Sequence, residues 1–264
     1  MSDLLASIRG LSVSYRSDGQ TVDALRGVDL DLRAGEKLAI IGESGSGKST
    51  FSLALAGLLP DAANLGGTIA WPWLDHAPRA GRDIGVVFQD PGSSLNPVLK
   101  IGEQVAEGAR RHLGLKRTAA RERARELLAR VRIPHPEQAP DAYPHQFSGG
   151  QRQRIAIAGA IAARPALLIA DEATSALDTV VQAEIAALLD TLVREEAMTL
   201  LFVTHDIALA AGLSDRLAVF RSAELVEAGE TARVIHQPQA AYTRDLIAAH
   251  IDFASPRLVG EPAR

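Results

Sequence analysis

The sequence predicts an α/β protein: a mostly parallel sheet covered by helices, with a helical segment inserted into it. Three observations carry this reading. Short apolar runs of strand length recur at 38–41, 84–88, 166–170 and 200–204. A helical pattern lies between the last two, where Val181, Ile185, Leu188, Leu189 and Leu192 share one face. A glycine-rich stretch at 42–49 joins one apolar run to the start of a further helix. Strands that alternate with helices pair in parallel, because each crossover then has the length a helix needs.

Taken in order, Val28-Asp29-Leu30-Asp31-Leu32 alternates apolar and acidic residues, the pattern of a half-buried strand. The run 38–41 is a fully buried strand. Residues 49–59 form a helix, which Pro60 and Asp61 close. The run 84–88 is another buried strand. Beyond Asp90 the character changes. Leu95-Asn96-Pro97 is a turn signal, and helices follow at 101–113 and 117–132. The second helix carries Ala120, Ala124, Leu127, Leu128 and Val131 on one side and arginines on the other. Acidic residues interleave with those arginines, so 121–132 reads as a solvated face and not a nucleic-acid patch. Pro134, Pro136, Pro140 and Pro144 then break the chain into a loop. Residues 91–164 are therefore expected as a helical insertion between 1–90 and 165–250, with 251–264 as a tail. No internal repeat or low-complexity tract is present. Trp71-Pro72-Trp73 reads as packing in a small β-subdomain.

Composition bounds the function. The 264 residues suit one large domain or two modest ones. At 47% hydrophobic and 23% charged, the chain is neither disordered, collagen-like nor a coiled coil. A net charge of −4 makes bulk-charge binding of DNA a poor option, and 4% aromatics argue against a stacking platform for single strands. The absence of Cys excludes a disulfide framework, a thiolate nucleophile and Cys-ligated zinc or clusters. The longest apolar candidate, 155–170, is broken by Arg164 and Pro165, so no membrane span is expected. No basic region followed by a long apolar run opens the chain, so no signal peptide is expected and the chain reads as soluble and cytoplasmic.

The chemistry starts at Gly42-Glu43-Ser44-Gly45-Ser46-Gly47-Lys48-Ser49, a GxxxxGK[ST] motif. Average residue usage produces it by chance in roughly one chain in a hundred of this length. Here it also lies between a predicted strand and a predicted helix, as the motif requires. The glycines let consecutive N–H groups curl inward around phosphate oxygens, and the helix start adds partial positive charge. Lys48 would reach the β- and γ-phosphates and the Ser49 hydroxyl would ligate Mg²⁺. A magnesium-side acid is then needed. Asp171 supplies it at the end of an apolar strand, and Glu172 can polarise a water aimed at the γ-phosphate. In Phe147-Ser148-Gly149-Gly150-Gln151-Arg152-Gln153-Arg154, a hydroxyl and unobstructed backbone N–H groups at a helix start make a second anion site. It would bind another phosphate or serve a partner's nucleotide.

That segment resembles the signature motif of ABC-transporter ATPase subunits, and the rest of the family set follows in order over residues 6–250. Tyr15 resembles the aromatic residue that stacks on adenine, and Gln89 the Q-loop glutamine. Ser175-Ala176-Leu177-Asp178 resembles the D-loop, and His205 the switch histidine. The resemblance implies the ABC ATPase fold: a P-loop NTPase core with a mostly parallel sheet, an N-terminal antiparallel β-subdomain and an inserted helical subdomain. It implies ATP and Mg²⁺, with Gly42 to Thr50 (Thr50 included), Tyr15, Gln89 and Asp171 around the nucleotide and Ser49, Gln89 and Asp171 at the metal. Glu172, His205, Lys48 and Gln89 would be catalytic. Two cassettes, identical or paralogous, would pack head to tail. Ser148, Gly149, Gly150 and Gln151 of each would then close on the ATP held by the other.

Two further segments resemble the ATPases of oligopeptide, dipeptide and nickel importers: 89–97, and 237–246 with its Tyr242-Thr243-Arg244. In the latter, Ala240 and Ala241 stand where His and Pro are usual, and Ala173 replaces a usual Pro beside Asp171-Glu172. The lack of Cys and the end at Arg264 lean toward the shorter, nickel- or metal-chelate-like members. The implied partners are two transmembrane permease subunits and, indirectly, a solute-binding protein. No nucleic acid is expected. The implied place is peripheral, on the cytoplasmic face of the inner membrane. The alternatives are a soluble ABC-type ATPase in a non-transport process and a P-loop kinase or switch GTPase. A single cassette without a long heptad run, together with the signature, weighs against both.

Overall fold

Two sheets form, and their burial patterns separate them. The computed structural model describes residues 4–17, 20–90, 94–174 and 177–250. β1 (Leu4–Ser17) pairs antiparallel with β2 (Gln20–Arg33), and β3 (Lys37–Ile41) then leaves for the other sheet. β4 (Ala63–Ala70) returns to the far side of β1, giving the order β2-β1-β4. In β2 the alternation of Val28, Leu30 and Leu32 with Asp29 and Asp31 places the apolar residues inward, as a half-buried strand requires.

The second sheet adds β5 (Ile84–Val87), β6 (Leu167–Asp171), β7 (Thr199–Val203), β8 (Arg216–Arg221) and β9 (Glu224–Glu230) in the order β5-β6-β7-β3-β8-β9. All its pairs are parallel except β8 with β9. β3, β6 and β7 are continuous apolar runs because both faces are covered. Leu38, Ile40, Leu167, Ile169, Leu201 and Val203 join one core with β1, β2 and α1 (Lys48–Ala56). Ala39, Ile41, Leu168, Ala170, Leu200 and Phe202 face the other core.

That second core is built by helices. Between β5 and β6 come α2 (Ile101–Leu113), α3 (Arg117–Arg130) and α4 (Gly149–Ala160), with 3₁₀ turns at Ala139–Asp141 and Pro144–Gln146. Then follow α5 (Thr179–Glu195), α6 (Ile207–Leu213), α7 (Thr231–His236) and α8 (Ala241–His250). Ala120, Ala124, Leu127, Leu128 and Val131 are all buried there, as the helical spacing predicts.

Three local expectations are corrected. α1 ends at Ala56, ahead of Pro60. Gly57 sits at φ 65°, its N–H bonds to the Ala54 carbonyl, and the Leu58 N–H reaches Leu53, so a left-handed glycine closes the helix. The arginine face of α3 is only partly solvated. Arg130 pairs with Glu195 at 2.8 Å and also with Glu196, and Arg123, its side chain 12% exposed, faces Glu196. These pairs tie α3 to the end of α5. Trp71 packs on the first core, but Trp73 is 40% exposed.

Leu128 is fully buried where α3 meets this core. Leu128→Ala is expected to lower the unfolding free energy by about 2–5 kcal/mol, read from chemical denaturation. A loss under about 1 kcal/mol would mean that the helical segment does not share the core.

Candidate active site

In a parallel sheet the carboxyl ends of the strands lie on one edge, and the predicted residues follow those ends. Gly42 follows β3, Gln89 follows β5, Asp171 ends β6 and Glu172 follows it, and His205 follows β7. Residues scattered over more than a hundred and sixty sequence positions thus share one edge.

The loop 42–47 is shaped by contacts that only glycine allows. Gly42 has φ 148°, and a Cβ there would lie 2.1 Å from the Phe220 carbonyl oxygen. Gly47, at φ 102°, would place a Cβ 2.5 Å from the Ala24 carbonyl oxygen. The turn between β8 and β9 holds the loop from outside: the Ala223 N–H donates to the Ser46 carbonyl, and the Arg26 N–H donates to the Ala223 carbonyl. Gly47 is the N-cap of α1 and offers no side-chain cap, and no acid sits in the first turn. The opening amides of α1, those of Lys48, Ser49 and Thr50, are therefore suited to an anion.

Lys48 is buried, and its ammonium donates to the carbonyls of Gly42 (2.9 Å) and Glu43 (2.8 Å). Burial pushes its pKa down, against the pull of the Glu172 and Asp171 carboxylates. The Ser49 hydroxyl donates to Asp171 at 3.1 Å. Burial pushes the Asp171 carboxyl pKa up, against that hydrogen bond. Among the described residues no cation lies within ion-pair distance of Asp171, and the Ser46 hydroxyl is buried without a hydrogen-bond partner. A buried hydroxyl–carboxylate pair beside an unpaired hydroxyl fits a magnesium ion and the phosphates it accompanies.

Glu172 has φ 47°, sparsely populated for a residue with a side chain, and its N–H is fixed to the Val203 carbonyl at 2.9 Å. His205 is exposed beside it in the fold, on a frame made by its neighbours. Thr204 donates its N–H to Ile40, its hydroxyl accepts from the Asp206 N–H (3.0 Å), and Asp206 caps α6 through Leu209. Gln89 is exposed just past β5. Tyr15 lies half-buried on β1, paired with Val22 and Ala63, at the border of the first core.

The Ser148–Gln151 segment lies apart. Ser148 caps α4 in a reciprocal box: its hydroxyl accepts from the Gln151 N–H (3.3 Å), and the Gln151 side chain accepts from the Ser148 N–H (2.9 Å). A Cβ on Gly150 would meet Val181 of α5 at 2.9 Å. Among the described residues no hydrogen bond or ion pair joins 148–151 to 42–50. Of the D-loop residues, Ser175 and Ala176 lie outside the described residues, while Asp178 caps α5 at the Val181 N–H. Sequence reasoning missed Phe220 of β8 and Ala223 of the following turn, which shape the loop from far along the chain. In the sequence Tyr242 stands out only as part of a motif, yet its hydroxyl accepts a hydrogen bond from the Glu43 N–H.

A glycine-curled loop ahead of an uncapped helix, at the carboxyl edge of a parallel sheet, defines a P-loop nucleotide-binding fold. The comparisons then give the family. A model described as ABC transporter matches residues 25–175. The chain is 42% identical over 255 residues to the oligopeptide transport ATP-binding protein OppD of Bacillus subtilis (strain 168), over 93% of this chain and 71% of OppD. It is 42% identical over 260 residues to the glutathione import ATP-binding protein GsiA of Salmonella typhimurium (strain LT2), over 92% of this chain but only 41% of GsiA. It therefore spans about two fifths of the length of that relative. Among solved structures, a dimeric post-hydrolysis state of the ATP-binding cassette MJ0796 with ADP and Pi aligns with TM-score 0.73 and 29% identity, over 86% of this chain and 98% of that one. CbiO1 from Clostridium perfringens, part of the transporter complex cbiONQ, aligns with TM-score 0.74 and 30% identity, over 89% and 92%. The chain belongs to the ABC transporter family.

Gly42→Ala must move the loop away from Phe220. It is expected to weaken ATP binding by at least about tenfold in a fluorescent-nucleotide titration, with a wild-type circular dichroism spectrum. Unchanged affinity would mean that the close approach does not shape the site.

Proposed function

We propose that the chain is the ATP-binding and ATP-hydrolysing subunit of an ABC importer, driving uptake of a peptide or related small solute through separate permease subunits. The observation that carries this reading is the meeting of the phosphate loop with the Ser49–Asp171 pair at one sheet edge, in a chain of this family. Relatives named for oligopeptide transport and glutathione import favour peptide cargo over nickel. Residues 1–90 and 165–250 serve as the nucleotide-binding core, and 91–164 as the helical subdomain that carries the signature.

Ser49 and Asp171 would hold Mg²⁺, with Gln89 as a further ligand. When bound, the ion neutralises charge that develops on the β- and γ-phosphate oxygens. Lys48 leaves the Gly42 and Glu43 carbonyls to pair with those oxygens, and the first amides of α1 donate to them. Tyr15 supplies a ring face for adenine. Glu172 accepts the proton of the attacking water, aimed by a backbone fixed to Val203, and exposed His205 orients the water against the γ-phosphate.

Ser148 and the amides of Gly149, Gly150 and Gln151 close on the nucleotide of a second cassette, identical or paralogous. The dimeric solved relative and the absence of contact with this chain's own loop support that arrangement. A groove lined by Phe88, Leu99, Val105, His112 and Ile155 lies between β5, α2 and α4, directly after Gln89. It is suited to a permease segment, which would link hydrolysis to transport. Among the described residues no helix is long and apolar enough to cross a membrane. In this reading the chain sits peripherally on the cytoplasmic face of the membrane, where a solute-binding protein acts on it only through the permeases.

Glu172→Gln is expected to bind ATP with near-wild-type affinity and to lose about a hundredfold or more in turnover, trapping a dimer visible by size-exclusion chromatography. Normal turnover would remove Glu172 from its role. Lys48→Ala is expected to weaken ATP binding at least about tenfold, and unchanged affinity in equilibrium titration would count against the cradle.

A further inference from the structure

One peptide group links the carboxyl-terminal helix to the phosphate loop. The peptide between Gly42 and Glu43 uses both of its polar atoms. Its carbonyl oxygen accepts from the Lys48 ammonium at 2.9 Å, and its N–H donates to the Tyr242 hydroxyl at 3.4 Å. A peptide unit is rigid and planar, so a hydroxyl that fixes the N–H also fixes the direction of the carbonyl opposite it. Glu43 opens the loop, at the end away from the first-turn amides of α1. The Tyr242 contact therefore does not compete with an anion bound there.

Tyr242 is itself held. It is 8% exposed, and the Arg221 guanidinium sits 4.6 Å from the centre of its ring. Arg221 ends β8, next to the Phe220 carbonyl that excludes a side chain at Gly42. Burial pushes the Tyr242 phenol pKa up, so its hydroxyl keeps its proton at neutral pH. The start of α8 is pinned by Glu227 of β9, whose carboxylate accepts from the N–H groups of Gln239 (2.9 Å) and Ala240 (3.0 Å). Leu246 and Ile247 bury the following turn in the helical core.

We propose that Tyr242 is a positioning residue for ATP. Carried on α8, its hydroxyl sets the Gly42–Glu43 peptide plane, and with it the entry of the phosphate loop, whether Lys48 rests on the Gly42 carbonyl or has left it for the phosphates, so that docking of the carboxyl-terminal helix and affinity for ATP are coupled. The proposal rests on the ATP-binding reading of the loop. Without the hydroxyl, the peptide plane loses the restraint that remains once Lys48 has left the Gly42 carbonyl, and it must be ordered when nucleotide arrives, which weakens binding and leaves the chemical step alone.

The test is steady-state hydrolysis and nucleotide titration on the full chain with its partners. Tyr242→Phe keeps the ring over Arg221 and removes the hydroxyl's hydrogen bonding to Glu43, at its backbone N–H and its side chain. It is expected to raise KM and Kd for ATP about two- to tenfold, with kcat within about twofold of wild type. Glu227→Ala frees the start of α8 without touching the loop, and is expected to raise KM in the same direction. The double variant should show no more than the larger single effect, because both act through one contact. A melting temperature that falls while KM stays at the wild-type value would reduce Tyr242 to a packing residue and overturn the proposal, as would fully additive effects in the double variant. If Tyr242→Phe yields no folded protein, the KM of Glu227→Ala decides alone. Lys48→Ala separates the two readings. Wild type that binds ATP, Lys48→Ala that does not and Tyr242→Phe at wild-type KM sink only the Tyr242 proposal, whereas wild type that fails to bind ATP sinks the reading beneath it.

Discussion

Gly42 lies so near the Phe220 carbonyl oxygen that a Cβ would stand 2.1 Å from it. This contact fixes where the phosphate loop leaves β3, because β3 and β8 are neighbours in the sheet and their ends must clear one another. The loop curls inward from that point, Lys48 folds back onto the carbonyls of Gly42 and Glu43, and α1 begins where its first amides face the sheet edge. The Ala24 carbonyl applies the same pressure at Gly47, which ties the antiparallel sheet to the loop. The phosphate loop is thus clamped between two sheets, and any side chain at either glycine would open it.

The electrostatics follow from that clamping. Lys48 and Asp171 are both buried, and burial disfavours the charge on each, lowering one pKa and raising the other. Neither has the other as a direct ion pair. A site of this kind holds opposite charges close together in poor solvent, and it gains most from a ligand that brings both an anion for Lys48 and a cation for Asp171. A nucleoside triphosphate with a divalent ion meets both needs at once.

The helical segment answers a different need. α2, α3 and α4 cannot bury their apolar faces alone, and they share one core with the sheet and with α5. The Arg130 and Arg123 pairs with Glu195 and Glu196 reinforce that joint at its rim. Gly150 lies against Val181, near the residue that caps α5. The start of α4 is therefore held by the core and by its own Ser148–Gln151 box, with no hydrogen bond to the phosphate loop among the described residues.

The sequence by itself determined the alternation of strands and helices, the helical stretch between β5 and β6, the glycine spacing of residues 42–49 between a strand and a helix, and the acidic pair at the end of an apolar strand. These are local or periodic signals: buried strands are continuous apolar runs, and a phosphate loop needs its glycines in a fixed short spacing. Tertiary structure alone decided what lies opposite each of them. Gly57 ends α1 because the chain needed a left-handed residue there, although Pro60 looked like the stop. Arg123 and Arg130 look like a solvent face until α5 brings Glu195 and Glu196 against them. Phe220, Ala223 and Tyr242 reach the phosphate loop across some 180 to 200 positions. Hydrophobic period and motif spacing carry no information about such partners, because strand order in a crossover sheet is set by how the whole chain packs.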